Sequence, residues 1–400
     1  MNILYLCWPI PESYHSNGTS QRNHRIYCAL AQVGNVDTLY LSRDKTGDDV
    51  LEYGRKHYGV VADCDWATGV SGAGNAIMRL IMGRAWEYRL VRAAMRTACK
   101  RLMELKKYDC VVARFVFCAS IAADIGAVPL VVDVDDLESY LYFSHALSPE
   151  KSVLRRLWLL KDGFFLRLAE RRVIRKCAYA LYGSENDRRI FYEKRSSVLP
   201  NIPVFPQPGK IGHPDKDSKI ILVVGVMRYG PNRDGLNHFL NKIWPRILMR
   251  NAEARLLVAG HCFEGDKNRW AKIRNVTVMG YVDNLEPLYH QSAFAIAPVY
   301  YGAGTNVKVI EALAHCRACV VTRKSRRGYE TELDGKGIVF AENDEQFAKA
   351  CIRLLDGFEW RILCGIQGEA AVRSVFSLER FDNTIRDAVL QATGPASCQV

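Results

Sequence analysis

The sequence has no long apolar run and no basic segment at its start. No apolar stretch among the 400 residues approaches the about 20 residues that a membrane-spanning helix needs. The opening MNILYLCWPIPES enters a strand-like run directly, without the basic residues of a secretory signal. We therefore expect a cytoplasmic protein, and peripheral contact with the inner face of a membrane stays open.

The sequence also lacks cysteine pairs at the spacing of a zinc site. Most of the 13 cysteines stand singly in apolar segments. The one CxxC, Cys316 and Cys319, follows a predicted helix, whereas a thioredoxin-like redox motif opens one. We predict buried thiols in a reducing compartment and no metal site.

The composition, 49% hydrophobic and 24% charged, excludes a disordered or fibrous chain. A chain of 400 residues exceeds what one hydrophobic core usually organises, so two domains are expected. The net charge of +12 favours an anionic partner: a nucleoside diphosphate, an anionic membrane surface or a nucleic acid. No helix-turn-helix, zinc-finger or RNA-recognition signature accompanies the charge, so we predict no nucleic acid partner.

Short apolar runs alternate with amphipathic segments of helical length, which predicts parallel sheets with helices on both faces. In the second half the predicted strands are residues 220–225, 255–260, 276–280, 294–298, 319–322 and 337–340. In the first half they are residues 2–7, 36–41, 110–114, 129–133 and 179–183, with a helix over 20–32. The fold class predicted is α/β.

The segment 201–218 is rich in proline, glycine and charge, and it is the predicted linker. We predict a first domain over 1–205, a second domain over 206–375, and a terminal helix in 376–400 that packs back across the linker. In doubly wound sheets, ligands bind beyond the carboxyl ends of the strands. Two such domains that face each other predict a cleft that holds the chemistry.

The stretch 298–322, PVYYGAGTNVKVIEALAHCRACVVT, carries the most informative pattern. A strand ends, a turn with Gly302 and Gly304 follows, and a helix opens with Lys308 and Glu311. Glycines allow the backbone to approach a phosphate, which the first-turn amides and the helix dipole bind. Lys308 adds a charge, and the Glu311 carboxylate can accept two hydrogen bonds from a ribose diol. The alternative is a glycine-rich turn with an ordinary surface lysine and glutamate.

This stretch resembles the nucleotide-sugar signature of the retaining glycosyltransferases of the GT-B fold, group 1 or family 4 type. The family motif reads G-x-G-T, then Lys, then E-A-L/M-A. Further blocks that resemble the family are VVGVMRYGPNRDGL (223–236), MGYVDNLEPLY (279–289), YGSENDRRIF (182–191), LPN (199–201) and VVDVDDLES (131–139). The resemblance spans residues 2–387 and implies two Rossmann-like doubly wound domains facing a cleft.

The resemblance implies a nucleoside diphosphate sugar as donor substrate, with no separate cofactor. It also implies that the domain 206–375 binds this nucleotide sugar and that the domain 1–205 binds the acceptor. Glu311 would hold the ribose, and Tyr281 and Val282 would lie near the base. The donor-binding residues implied are Arg228, Asn232, Arg233, Tyr281, Val282, Gly302, Gly304, Thr305, Asn306, Lys308 and Glu311.

Two positions depart from the family pattern. Ala303 stands where many members carry a glutamate. Val226 stands where members carry an arginine, and the lysine that accompanies this arginine is missing near Pro231 and Asn232. Lys308 and either Arg228 or Arg233 are the substitutes for the missing cations, and the sequence does not decide between the two arginines.

On the acceptor side, Gly18 stands before a helix, where the family places a glycine loop against phosphates or acceptor; a capped helix start is the alternative. Asp135 and Asp136, with Glu311, are the candidate catalytic residues. Either aspartate would orient an acceptor hydroxyl, and a helix cap is the alternative. Arg114, at the end of the fourth predicted strand, suggests an anionic acceptor or donor group. No general base is required if the leaving phosphate takes the proton.

The segment 151–176 carries nine basic residues, and Asp162 and Glu170 are its two acidic ones. Leucines and aromatic residues interleave with the charges, as in a helix that lies on an anionic bilayer. The alternative is a stripe that packs on the core beneath a solvated basic face.

We therefore predict a hexosyl or other glycosyl transfer, with retention, from a nucleoside diphosphate sugar to a saccharide or lipid-linked saccharide, in polysaccharide biosynthesis. Two alternatives stay open: a nucleotide-sugar 2-epimerase, and a non-catalytic protein that binds the nucleotide sugar. The excess of arginine and lysine over aspartate and histidine in the motif blocks disfavours the epimerase.

Overall fold

The computed structural model contains two compact units, each built on one parallel sheet. It describes residues 1–8, 18–42, 48–65, 78, 80–126, 128–147, 152–191, 195–206 and 212–394. The first unit comprises Met1–Pro200 and the last helix from Leu378, and the second comprises Asn201–Ser377. The chain thus passes between units after Pro200, five residues before the predicted boundary.

The sheet of the first unit has seven strands within the described ranges, in the order β3-β2-β1-β4-β5-β6-β7. They are β1 (Asn2–Cys7), β2 (Asn35–Ser42), β3 (Val60–Asp65), β4 (Cys110–Arg114), β5 (Leu130–Asp135), β6 (Tyr179–Tyr182) and β7 (Ser196–Val198). The helices are α1 (Gly18–Ala31), α2 (Asp48–Tyr58), α3 (Arg84–Leu105), α4 (Phe115–Ala122), α5 (Glu138–Ala146), α6 (Val153–Ile174) and α7 (Glu185–Phe191).

The sheet of the second unit has six strands in the described part, in the order β10-β9-β8-β11-β12-β13. They are β8 (Ile220–Val224), β9 (Arg255–Ala259), β10 (Val276–Gly280), β11 (Phe294–Ala297), β12 (Cys319–Val321) and β13 (Ile338–Phe340). The helices are α8 (Gly230–His238), which a π-helical turn (Phe239–Ile243) joins to α9 (Trp244–Arg250), α10 (Glu264–Trp270), α11 (Glu286–Gln291), α12 (Val307–Ala314), α13 (Arg323–Arg326), α14 (Asp344–Asp356) and α15 (Phe358–Val375).

The last helix, α16 (Leu378–Thr393), belongs to the first unit. It packs against α1 and against β4 to β7. Its Phe381, Ile385 and Val389 are buried there. The apolar face of α16 therefore packs on the sheet of the first unit.

Alternate strand residues enter cores on opposite faces of the second sheet. Ile221 and Val223 of β8 pack in one cluster, while Leu222 packs in the other. Because side chains of a strand point alternately to its two faces, continuous apolar runs mean burial on both. This confirms the predicted α/β class with two Rossmann-like doubly wound domains.

In each sheet the strand order reverses at one place, between β1 and β4 in the first and between β8 and β11 in the second. The loops that follow the two strands run to opposite sides there and leave a crevice, the usual ligand site of such sheets. The loops after β8 and β11, together with the helices that follow them, contain most of the predicted donor-binding residues.

Candidate functional site

Lys308 and Asn232 meet at the crevice of the second sheet. The Nζ atom of Lys308, on α12, donates to Oδ1 of Asn232, on α8, over 2.6 Å. The Asn232 amide in turn donates to the carbonyl oxygen of Val226 over 3.0 Å. A Cβ on Gly225 would lie 2.8 Å from the Lys308 Nζ. The loop after β8 and the helix after β11 thus place one cation between them.

The turn between β11 and α12 needs its glycines. Gly302 and Gly304 have φ angles of 129° and 66°, which a residue with a side chain rarely adopts. The carbonyl oxygen of Gly304 accepts a hydrogen bond from the buried Lys324 Nζ at 3.0 Å, and Thr305 Oγ1 accepts one from Asn201 at 3.2 Å. The turn is therefore fixed by a lysine and by the residue that opens the second unit.

Asn306 precedes α12, and its side chain makes no capping hydrogen bond in the described structure. Four amides at a helix start lack partners within the helix. The Val309 amide donates to the Asn306 carbonyl oxygen over 2.9 Å, and the start of α12 follows the turn that holds Gly302 and Gly304 directly in the chain. This arrangement can bind an anion such as a diphosphate.

Glu311 lies one turn beyond Lys308 on α12, and both side chains keep partial solvent exposure. Burial raises the pKa of Glu311 to about 7. The Tyr289 hydroxyl and the charge of Lys308 lower this pKa, but their effect is smaller than that of burial. Burial also lowers the pKa of Lys308 to about 8. The pair is thus poised to change charge near neutral pH.

Tyr281 stacks on His261 at the carboxyl ends of β9 and β10. The two ring centroids are 4.5 Å apart with an interplanar angle of 13°. Tyr281 is largely exposed, so one ring face is open to solvent. Its neighbour Val282 packs instead against the core. The stacked pair offers a planar surface of the kind on which a base can lie.

Arg228 and Arg233 share one aromatic neighbour. Their guanidinium groups lie 5.6 and 5.9 Å from the centroid of the Phe263 ring. Arg233 also pairs with Asp234 at 3.6 Å. The pairing with Asp234 offsets the charge of Arg233 and favours Arg228 as the cation for a ligand.

In the first unit, two arginines and two aspartates form a buried network. Arg22 Nη2 lies 2.7 Å from Asp133 Oδ1, and Arg114 Nη2 lies 2.7 Å from Asp135 Oδ2. Burial by itself lowers the pKa of Arg114, but the charges of Asp135 and Asp133 raise it above its ordinary value. Each buried charge therefore has an opposite charge next to it.

This network corrects the prediction for Arg114. Its side chain is fully buried and is engaged by Asp133 and Asp135, so it does not present a cation to a ligand. Asp135 lies inside β5 and is buried, whereas Asp136 follows the strand and is partly exposed. Of the two candidate aspartates, Asp136 is the more exposed.

The backbone beside this network adopts unusual angles. Phe115 and Asp135 have φ angles of 66° and 50°, which cost energy in residues other than glycine. The Phe115 ring lies 3.9 Å from the Arg114 guanidinium. Gly18 begins α1, while the rest of the loop before it, 9–17, lies outside the described residues.

Neither thiols nor metal ligands form a second site in the described ranges. The cysteines whose side chains are described are free thiols, including Cys316 and Cys319. No group of three or more His, Cys, Asp or Glu side chains is placed to hold a metal ion in that part of the chain.

Sequence reasoning did not single out His261, Lys324 or Tyr289 as members of the site. His261 follows β9 directly, and residues at strand ends are the signal that could have identified it. Lys324 and Tyr289 contact Gly304 and Glu311 only because of the tertiary fold.

Comparison with known families matches residues 218–357 to the model of glycosyl transferases group 1. A curated relative, an uncharacterized 44.6 kDa protein in the cps region of Klebsiella pneumoniae, is 24% identical over 266 residues. That alignment covers 63% of this chain and 67% of the relative. The family match covers the predicted donor-binding residues of the second unit and supports a group 1 glycosyltransferase.

Solved structures match the chain nearly end to end. The sucrose-phosphate synthase of Thermosynechococcus elongatus superposes with a TM-score of 0.68 at 14% identity, over 96% of each chain. The HepE protein of Anabaena, solved in complex with UDP and glucose, gives a TM-score of 0.63 at 11% identity, over 96% of this chain and 98% of the other. The fold is that of the GT-B glycosyltransferases.

Proposed function

We propose that the protein transfers a sugar from a nucleoside diphosphate sugar to a saccharide or lipid-linked saccharide, with retention at the anomeric carbon. The observation that carries the proposal is the meeting of Lys308, Asn232 and the start of α12 at the crevice of the second sheet, one helical turn from Glu311. The family match over 218–357 supports the same chemistry.

In this proposal the residues around α12 divide the donor between them. Glu311 accepts hydrogen bonds from the ribose hydroxyls, because a carboxylate can take two donors at once. Gly302, Gly304 and the first-turn amides receive the diphosphate, and Lys308 neutralises charge that develops on it as the glycosidic bond breaks. The stacked Tyr281 supports the base.

Ala303 and Val226 stand where members of the family that the sequence resembles carry a glutamate and an arginine. The proposal assigns the missing positive charge to Lys308 and Arg228. It assigns the acceptor hydroxyl to Asp136 rather than Asp135, since Asp136 is the more exposed of the two. The proton of that hydroxyl passes to the leaving phosphate, so no separate base is needed.

The test is release of nucleotide from a panel of nucleoside diphosphate sugars, with and without saccharide and membrane extracts as acceptors. We expect one donor to give acceptor-dependent release. Glu311→Ala should abolish it, while Glu345→Ala, an exposed carboxyl on α14 that pairs with Lys349, should leave it unchanged. NMR of the product should show the anomeric configuration of the donor.

The outcomes separate the alternatives. A donor that raises the melting temperature in a Glu311-dependent way, without release under any acceptor condition, means binding without transfer. Conversion of the donor to its 2-epimer without an acceptor means an isomerase. Either result would contradict the proposed transfer.

A further inference from the structure

Helix α6 exposes four of its six leucines and buries both of its carboxylates. Leu154, Leu157 and Phe164 are 81%, 59% and 56% exposed. Asp162 and Glu170, the two acidic residues of the helix, are buried. A helix that packs on a core normally buries its apolar side chains and exposes its charged ones. The exposed leucines therefore suit the outer face of α6 to contact with an apolar partner.

The exposed apolar residues form one stripe along the first four turns. Val153, Leu154, Leu157, Leu160, Phe164 and Leu168 all expose about two fifths or more of their surface, and they recur at three- or four-residue spacing. Gly163, Leu166 and Val173 face the core instead. The stripe therefore lies on the side of the helix opposite to its packed face.

The segment before α3 extends this stripe. Leu80 and Ile81 are 71% and 51% exposed. Lys161 on α6 donates to the carbonyl oxygen of Leu80 over 2.5 Å, which holds the segment against the helix. The apolar surface is thus formed by two separate parts of the chain.

Basic side chains border the apolar stripe. Arg155 lies over the Trp158 ring at 4.4 Å, and Arg171, Arg172 and Arg175 are exposed over the last turns. Because both carboxylates of the helix are buried, its outer face carries positive charge alone. Apolar side chains bordered by cations match a bilayer surface that contains anionic lipids.

We propose that the outer face of α6, with Leu80 and Ile81, docks the protein on the surface of an anionic lipid bilayer. Within the described residues no helix is long and apolar enough to cross a membrane. The leucines and Phe164 enter the headgroup region, and the arginines contact lipid phosphates. This inference rests on the first unit and does not depend on the proposed sugar transfer.

The experiment is sedimentation of the full-length protein with vesicles of phosphatidylcholine alone or with about 30% phosphatidylglycerol. We expect binding to the anionic vesicles, weakened by high salt. Leu154→Gln with Leu157→Gln should lower the partition coefficient about tenfold or more, because two apolar side chains no longer enter the lipid. Replacement of Arg171, Arg172 and Arg175 by Gln should remove the preference for anionic lipid and the salt dependence.

A matched control replaces two leucines of similar exposure elsewhere, Leu105→Gln with Leu363→Gln, and should bind vesicles as the wild type does. Circular dichroism melting checks that all variants fold. Absence of binding to anionic vesicles, or equal binding by the Leu154/Leu157 variant, would overturn the proposal. A dimer in light scattering that the same variant dissociates, without vesicle binding, would assign the face to a second copy of the chain instead.

Discussion

At the scale of single residues, Glu311 and Lys308 have the most informative surroundings. One is a carboxyl whose pKa burial raises to about 7, and the other an ammonium whose pKa burial lowers to about 8. The form of each that binds a nucleoside diphosphate is the charged one. Binding therefore requires a pH at which both groups are ionised.

This gives a bell-shaped pH dependence of donor affinity. Affinity should fall below about pH 7, where Glu311 gains a proton, and above about pH 8, where Lys308 loses one. Isothermal titration calorimetry with a nucleoside diphosphate at several pH values measures this affinity. Lys308→Arg should extend the alkaline limb, because guanidinium stays charged, and keep the acid limb. Affinity that increases steadily towards acid would disprove the assigned roles.

Glu170 is a second carboxyl with a raised pKa, about 7, because it is buried. The backbone amide of Ser139 donates to it over 3.0 Å, its hydroxyl donates as well, and Arg167 lies 3.8 Å away. These contacts lower the pKa but do not cancel the effect of burial.

Stability should therefore depend on the protonation of Glu170. A carboxyl whose folded pKa exceeds its unfolded pKa of 4.5 stabilises the fold below 4.5 and loses that contribution as pH rises to about 7. The loss corresponds to about 3 kcal/mol at 1.36 kcal/mol per pKa unit. Urea unfolding at several pH values should show this slope in the wild type, and Glu170→Gln should remove it. An unchanged slope in the variant would contradict the assignment.

At the scale of elements, the sequence pattern located strands better than it located contacts. Strands β8 to β13 begin and end within one residue of the predicted runs. The clearest of these runs, β11 and β12, are apolar throughout and buried on both faces. β3 and β7 were missed: β3 carries two aspartates, and β7 is three residues long, so neither has a recognisable apolar run. β5 continues two residues beyond the predicted end and takes in Asp135.

The buried ion network could not be predicted from the sequence in the same way. Arg22 and Asp133 are 111 residues apart, and nothing in either neighbourhood identifies the partner. By contrast, the approach of Asn232 and Lys308 follows from two strands that are neighbours at the point where the order reverses. Contacts set by topology are predictable, and contacts set by side-chain packing are not.

Gly260 shows how closely the strand ends approach one another. A Cβ there would lie 1.8 Å from the carbonyl oxygen of Gly225, and the residue has a φ of 133°. Gly260→Ala should destabilise the protein by about 3 kcal/mol or more, as overpacking adds to backbone strain. Gly265→Ala on α10, where a Cβ meets nothing within 4 Å, is the matched control and should change little. Thermal melting compares them, and equal melting temperatures would refute the close approach.

At the scale of the whole molecule, the chain leaves the first unit after Pro200 and returns to it at Leu378. The returning helix α16 supplies Phe381, Ile385 and Val389 to the surface of the first sheet. The stability of the first unit should therefore depend on helix α16, which is separated from the rest of that unit by the whole of residues 201–377.

Ile385→Ala tests this division. Removal of a side chain that is 1% exposed should lower the stability of the first unit by about 2–4 kcal/mol. Hydrogen exchange should then accelerate in α1 and β4 to β7, while the amides of β8 to β13 keep their wild-type rates. Leu390→Ala, which alters a half-exposed side chain on the same helix, should leave both units unchanged. Equal acceleration in both sheets would mean that the two units unfold as one, and the donor site at α12 would then share the stability of the first unit.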